Sequence, residues 1–471
     1  MLSVFIKKYF VEVLLGIILA SVILFSFSTL TTKPRFWIDE AKSIELAKSW
    51  QSFGKLDLEV APGVFSGVPE VLQSTGYSVT IPLAAFFKVF GFGLEQARVY
   101  MILWMAAALI AAFFIGRTIL GARNSILAIL LISTFASFYD SGRTVVGEIP
   151  GFLFLLFGLY AWLKKNNYWL AGFWLGLAVV TKPSVYGLII PAIGLTILLA
   201  EGNTLNFWKR VGRLALGMLP AAAGWIAATL ESPLAIESWS RIANFYENPY
   251  DAVSISENVI HNLLNAPFST TLIYFGFWFL ILGSAYYWVR EKNQKLLFSF
   301  VFWYSIFAFG YYLRSPGWLR YILVAELLIL FSLPSAVSII FERFPKRLVV
   351  YLVILLTAIQ LIHLFTGAEI FYSDLDIKAS KFLNEQFPDE SIGVLDSLTL
   401  ATLLKHNQRF LVAEMVGLPQ IGKNPLLAEP LPDIIVSDED NKFFKEGLGI
   451  INNNYLLVKE IGGYYDIYRR I

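Results

Sequence analysis

Eleven apolar stretches run through this chain, and the basic clusters between them share one side if each stretch crosses a membrane once. At 471 residues, 57% hydrophobic and 15% charged, with a mean hydropathy of +0.63, the chain is too apolar for a soluble domain of its size. It reads as a multi-pass helical membrane protein. The expected spans are 10–30, 98–116, 125–139, 149–163, 167–181, 184–200, 214–230, 267–289, 296–313, 319–341 and 347–367. Two of them, 125–139 and 167–181, are short for a perpendicular crossing and must borrow flanking residues.

Residues 77–92, YSVTIPLAAFFKVFGF, are apolar enough to resemble a span but carry Pro82 and Lys88. Charge bias decides their place. If they lie along the membrane surface, Lys7/Lys8, Arg117/Arg123, Lys164/Lys165, Lys209/Arg210/Arg213, Arg290/Lys292/Lys295 and Arg343/Lys346/Arg347 are all cytoplasmic. If they span, every later cluster moves outside while Lys7/Lys8 stay inside. The surface placement leaves a long first outer loop, 31–97, built from helical pieces in the interface. The first span follows Lys7/Lys8 and lacks a small-x-small cleavage site, so it is expected to be a retained signal anchor.

The expected fold class is an all-α polytopic membrane domain, residues 1–368, followed by a small extracytoplasmic α/β domain, residues 369–471. In that tail IKASKFLNEQF has helical period, and SIGVLDS, PDIIVSD, NYLLVKEI and YYDIYRRI read as short strands. Zero cysteines exclude a disulfide framework and a thiolate metal site. His261, His363 and His406 are too far apart in sequence for a helix-borne metal pair, and no basic run is dense enough for nucleic acid.

On this topology Asp39, Glu40, Asp140, Arg143, Glu148, Lys182, Arg314 and Arg320 all face the non-cytoplasmic side, where charge near a bilayer is costly and usually functional. Asp39 and Glu40, in FWIDEAKSIELAKSW, open a helix; acids in a first turn have an ordinary dipole explanation. Trp37 and Ile38 nevertheless put the pair at interface depth, where a carboxylate can take a proton from an acceptor. In YDSGRTVVGEIPGF, Glu148 stands two residues before Pro150 at a helix start and five after Arg143. An acid paired with a nearby Arg is equally expected there, and Asp140 can simply cap the turn. Two converging carboxylates, Asp39 and Glu148, can instead hold a divalent metal or divide base and orienting roles. Lys182 in VVTKPSVYG, and Arg314 and Arg320 around RSPGWLR, either snorkel to head groups or, with Arg143, bind a phosphate. Acids able to act as base, cations able to hold phosphate and an apolar surround point to group transfer from a lipid-linked phosphate.

The motifs FWIDEA, KVFG followed by ARVYMILWMAAALIAAFFIGRTILG, RTVVGE, VVTKP and LRYILVAELLIL occur in that order. In order and parity they resemble membrane glycosyltransferases of the GT-C fold, in particular protein O-mannosyltransferases and the aminoarabinose and other sugar transferases that modify lipopolysaccharide. The resemblance implies a polyprenyl-phosphate sugar donor and inverting transfer, outside the cytoplasmic membrane, to a glycan, lipid or protein acceptor. It makes Asp39 the general base and Glu148 a second acid beside a metal, and sends Lys182 and Arg320 to the donor phosphate. Two departures stand out: residues 73–78 read QSTGYS where many relatives have Lys or His before Pro, and Glu148 replaces an Asp. A transporter or a flippase of lipid-linked sugars is the alternative. Trp239, Tyr246 and Tyr250 in the second outer loop either stack on sugar or anchor the interface.

Overall fold

The computed structural model describes residues 2–230, 234–247, 254–342, 347–366, 373–404, 409–414, 420–437 and 441–471, with side chains from residue 9 onward. Tyr250, Arg343, Lys346, His406, the side chains of Lys7 and Lys8, and the boundary expected at 368/369 lie outside the described residues. The helices, in chain order, follow the hydropathy. Helix α1 is Leu2–Ser28 and α2 is Ile38–Phe53. A two-stranded hairpin, β1 Glu59–Ala61 with β2 Val64–Phe65, comes next, then α3 Pro69–Leu72 and α4 Tyr77–Phe90. Helix α5 is Leu94–Ile119, α6 Ala122–Thr134, α7 Ala136–Arg143, α8 Glu148–Leu163 and α9 Tyr168–Thr181. They are followed by α10 Pro183–Tyr186, α11 Ile189–Glu201, α12 Leu205–Thr229, α13 Ile236–Glu247 and α14 Ile255–Asn265. Helices α15 Thr270–Trp288, α16 Lys292–Arg314, α17 Leu323–Ile340 and α18 Arg347–Thr366 complete the apolar part.

Each of the eleven expected spans coincides with a helix or helix pair. Among the described residues, eight helices are long and apolar enough to cross a membrane, counting α10 with α11 as one, and α6 with α7 forms a ninth candidate bent by 68°. The remaining two, α8 and α9, are apolar but only 16 and 14 residues long. Residues 77–92 hold α4, a 14-residue helix, shorter than the roughly 20 residues a crossing needs.

The chain divides into two compact units. One comprises residues 1–30, 99–225 and 253–371; the other comprises 31–98, 226–252 and 372–471. In the first, α17 is buried all round from Leu323 to Val337, as a helix apolar on every face must be. Gly172 and Gly176 on α9 let that helix meet the backbone of α12 at Leu214, Gly217 and Met218. Small residues of this kind bring helices together where lipid removes the hydrophobic drive between them.

The second unit is built on a five-stranded sheet of β3 Ile392–Leu395, β4 Arg409–Val412, β5 Ile434–Ser437, β6 Tyr455–Ile461 and β7 Tyr465–Arg470, in the order β4-β3-β5-β7-β6. The first three strands are parallel, with Ile392 opposite both Arg409 and Ile434. Strand β3 is buried at every position, which explains its unbroken apolar run. Helices α19 Leu375–Gln386, α20 Leu398–Leu403, α21 Lys442–Glu446 and α22 Leu448–Asn454 accompany the sheet. Leu395, Val412, Ile435, Phe443, Phe444 and Tyr468 form its core. Four of the strands lie where the sequence places them; β4 is an addition. Helix α2 packs on α20 and β1 on β4, so residues 31–98 and the C-terminal domain fold together.

Candidate active site

Helix α2 carries the first acid pair, and its neighbours divide the two residues. Glu40 is fully buried and takes both Arg98 Nε, at 2.9 Å, and Arg98 Nη2, at 2.7 Å. Arg98 is equally buried. This two-pronged pair engages both carboxylate oxygens, the geometry that best offsets desolvation of the charges. Asp39 is 8% exposed and sits 2.8 Å from Lys42 Nζ, one turn along the same helix. The Lys42 ammonium is itself buried, so the two charges neutralise each other within one turn of α2.

The second acid lies in the other unit and is positioned by glycine. Gly147 precedes α8, and a Cβ there would run into the Thr181 carbonyl oxygen and approach Lys182 Cβ to 3.0 Å. The absence of a side chain thus seats the start of α8 against the turn after α9. Tyr186 then donates to the Glu148 carbonyl, and the α8 residue Gly151 leaves room for the Tyr186 ring. The outcome is a buried couple: Glu148 is 1% and Lys182 3% exposed, with Nζ 3.7 Å from Glu148 Oε1. Glu148 Oε2 is buried and has no hydrogen-bond partner among the described residues. A buried acceptor of this kind is unfavourable unless another group donates to it. Glu148 also occupies the first turn of α8, where the helix dipole favours its charge.

The remaining expected cations sit in that same unit against aromatic rings. Arg143, at the end of α7, is fully buried; it hydrogen-bonds Thr29 Oγ1 and lies 5.8 Å from the Phe25 ring and 5.9 Å from the Tyr139 ring. Arg314 is half-buried over Tyr311 at 5.5 Å. Arg320, also half-buried, stacks on Trp318 at 4.6 Å and reaches Tyr321 at 5.4 Å. Of the expected residues, Glu148 and Lys182 are brought into direct contact. The sequence alone does not single out Arg98 or Tyr186, because their partners are distant in the chain.

A divalent metal on Asp39 and Glu148 does not fit the residues present. Each acid already has an ammonium beside it, Lys42 and Lys182 respectively. No group of three or more His, Cys, Asp or Glu able to hold a metal occurs among the described residues. Ammonium groups at the carboxylates repel a second cation, so no step is routed through a metal.

Comparison with solved structures decides the architecture. ArnT from Cupriavidus metallidurans, crystallised bound to undecaprenyl phosphate, superposes with a TM-score of 0.63 at 14% identity, covering 97% of this chain and 98% of that one. The fold is GT-C. The Archaeoglobus fulgidus oligosaccharyltransferase, crystallised with Zn and sulfate, matches with a TM-score of 0.59 at 15% identity, covering 96% of this chain and 72% of that one. In sequence, residues 80–226 match the dolichyl-phosphate-mannose-protein mannosyltransferase family. No curated protein matches. The motif resemblance is thus matched in both fold and sequence: the matching family is named for a dolichyl-phosphate-mannose-protein mannosyltransferase and the second structure for an oligosaccharyltransferase.

Proposed function

We propose that this multi-pass membrane protein moves a sugar from a polyprenyl-phosphate donor to a glycan, lipid or protein acceptor on the outer face of the cytoplasmic membrane. Asp39 acts as general base. The acceptor oxygen or nitrogen attacks the anomeric carbon, its proton passes to the Asp39 carboxylate, and the bond from that carbon to the phosphate oxygen breaks with its electron pair on phosphate. Attack opposite the leaving group inverts the anomeric carbon. The transition state is oxocarbenium-like, and fixed cations stabilise the negative charge gathering on the phosphate. Lys182 supplies that charge, and Arg143, Arg314 and Arg320 are the further phosphate candidates. Glu40 holds α2 through Arg98 and does not take the proton.

The observation that carries this reading is the buried Glu148–Lys182 couple in a GT-C fold. The ammonium lies 3.7 Å from Glu148 Oε1, and Glu148 Oε2 has no hydrogen-bond partner among the described residues. A donor's phosphate complements the ammonium, and a sugar hydroxyl complements the oxygen. The expected topology agrees with this reading: residues 31–98 and 372–471 belong to one compact unit, the ten expected spans between them are an even number, and positive-inside bias supports an outer location for both.

A transporter or flippase predicts a different outcome in one assay. Purified protein is given a panel of undecaprenyl-phosphate hexoses and pentoses with a membrane-glycan extract, and release of undecaprenyl phosphate is followed. Acceptor-dependent release supports transfer. Binding of the lipid without release from any member overturns it.

A further inference from the structure

The acid of α2 that the chemistry leaves unused is Glu45. It is completely buried, and it meets Arg409 of β4, which is 5% exposed, through both guanidinium prongs. Arg409 Nη1 also donates to the Ala401 carbonyl at 2.6 Å, so the guanidinium is held by the last turn of α20 as well. Burial raises the Glu45 carboxyl, but Arg409 outweighs it and holds the group below its ordinary value. Nearby Lys48 is pushed down by burial and lies 5.0 Å from the Phe92 ring.

Placement on the helix gives this pair a consequence for Asp39. Successive residues turn by about 100°, so relative to Asp39 the azimuth of Glu40 is about 100° and that of Glu45 about 240°. The two buried pairs therefore grip α2 on either flank of the Asp39 direction. Glu40–Arg98 fixes the first turn, and Glu45–Arg409 fixes the next turns against the C-terminal sheet. Rotation about the helix axis would break one pair or the other, leaving a buried charge alone, which is strongly disfavoured.

We infer that Arg409 is a positioning residue for transfer: the C-terminal α/β domain holds α2, through Glu45, at the rotation that aims Asp39. This inference rests on Asp39 being the base. It gives the C-terminal domain a role that does not require it to recognise the acceptor. Misplacing a reacting group by about 1 Å costs about 10²-fold in rate, so the clamp acts on turnover, not on donor affinity.

Arg409→Gln and Arg409→Lys in the full-length protein test this with two readouts. In steady-state kinetics on whichever panel donor turns over, kcat falls about 10²-fold in Arg409→Gln, while KM for donor and acceptor stays within about threefold of wild type. Arg409→Lys keeps the charge, loses the fork and falls between. Hydrogen–deuterium exchange of residues 38–53 rises in Arg409→Gln and is unchanged at residues 323–337. The swap Glu45→Arg with Arg409→Glu recovers part of both losses. Unchanged exchange in α2, unchanged kcat, or a loss confined to the acceptor KM each overturns the inference. If wild type turns over no donor, the transferase reading fails on its own, and the exchange measurement still decides whether Arg409 holds the helix.

Discussion

The acids of the two compact units are built in opposite ways. On α2, Glu40 and Glu45 each meet a guanidinium that fills both oxygens and is itself buried. At the start of α8, Glu148 is just as buried, but its counter-charge is an ammonium 3.7 Å away and one oxygen accepts nothing among the described residues. Buried charge by itself therefore does not mark chemistry. The closed pairs hold α2, and the couple on α8 leaves Glu148 Oε2 able to accept a further hydrogen bond.

This contrast can be broken most sharply at Glu40. Glu40→Gln leaves the Arg98 guanidinium buried against a neutral amide, which should destabilise by about 3–5 kcal/mol, read as a large fall in melting temperature in detergent. Glu148→Gln breaks a longer, single-contact pair with Lys182, so it should lower the melt by less and in addition lower transfer by about 10²–10³-fold, the scale of losing one electrostatic contact to the transition state. Reversal of the two phenotypes would make Glu148 the structural acid. Next in size is Gly147→Ala, whose Cβ must displace the Thr181 carbonyl. It should cost about 1–3 kcal/mol and lower turnover alongside Lys182→Ala, measured as kcat on the same donor.

The smallest effect is in pH dependence. Asp376 is raised by burial, with Tyr465 and Thr399 donating to it and opposing the rise. A folded value above the unfolded one means the folded state binds more protons, so this group's contribution shrinks as pH rises through that folded value. Glu45 behaves oppositely: its lowered value contributes above the unfolded carboxylate range and is lost as pH falls through the folded one. Asp376→Asn should therefore slightly raise the melting temperature near neutral pH and steepen its fall toward acid, because the opposing slope of Asp376 is gone and that of Glu45 remains. A flatter acid side would show that the carboxylate form is the one the fold favours.

Much of the architecture was legible because hydropathy is a local signal. The apolar runs locate the helices, and the β3 and β5 runs read directly as strands. Strand β4, RFLV, is not singled out by the sequence. Glu148 and Lys182 were legible as candidates from position on the expected topology, and Asp39 from its interfacial neighbours. The partners of the closed pairs were not. Glu40 and Arg98 are 58 residues apart, Glu45 and Arg409 are 364 apart, and nothing in either local sequence announces the other. Lys42 beside Asp39 is within reach of the sequence, three residues along the same helix, whereas Lys182 and Glu148 become neighbours only on folding.

The central claim, that Asp39 removes the acceptor proton during sugar transfer, is tested most directly by single-turnover kinetics of Asp39→Asn with a polyprenyl-phosphate sugar that wild type consumes. Release of the lipid phosphate should fall by about 10²–10⁴-fold, while undecaprenyl phosphate binds as it does to wild type and the melting temperature is little changed. Release at the wild-type rate would contradict the account.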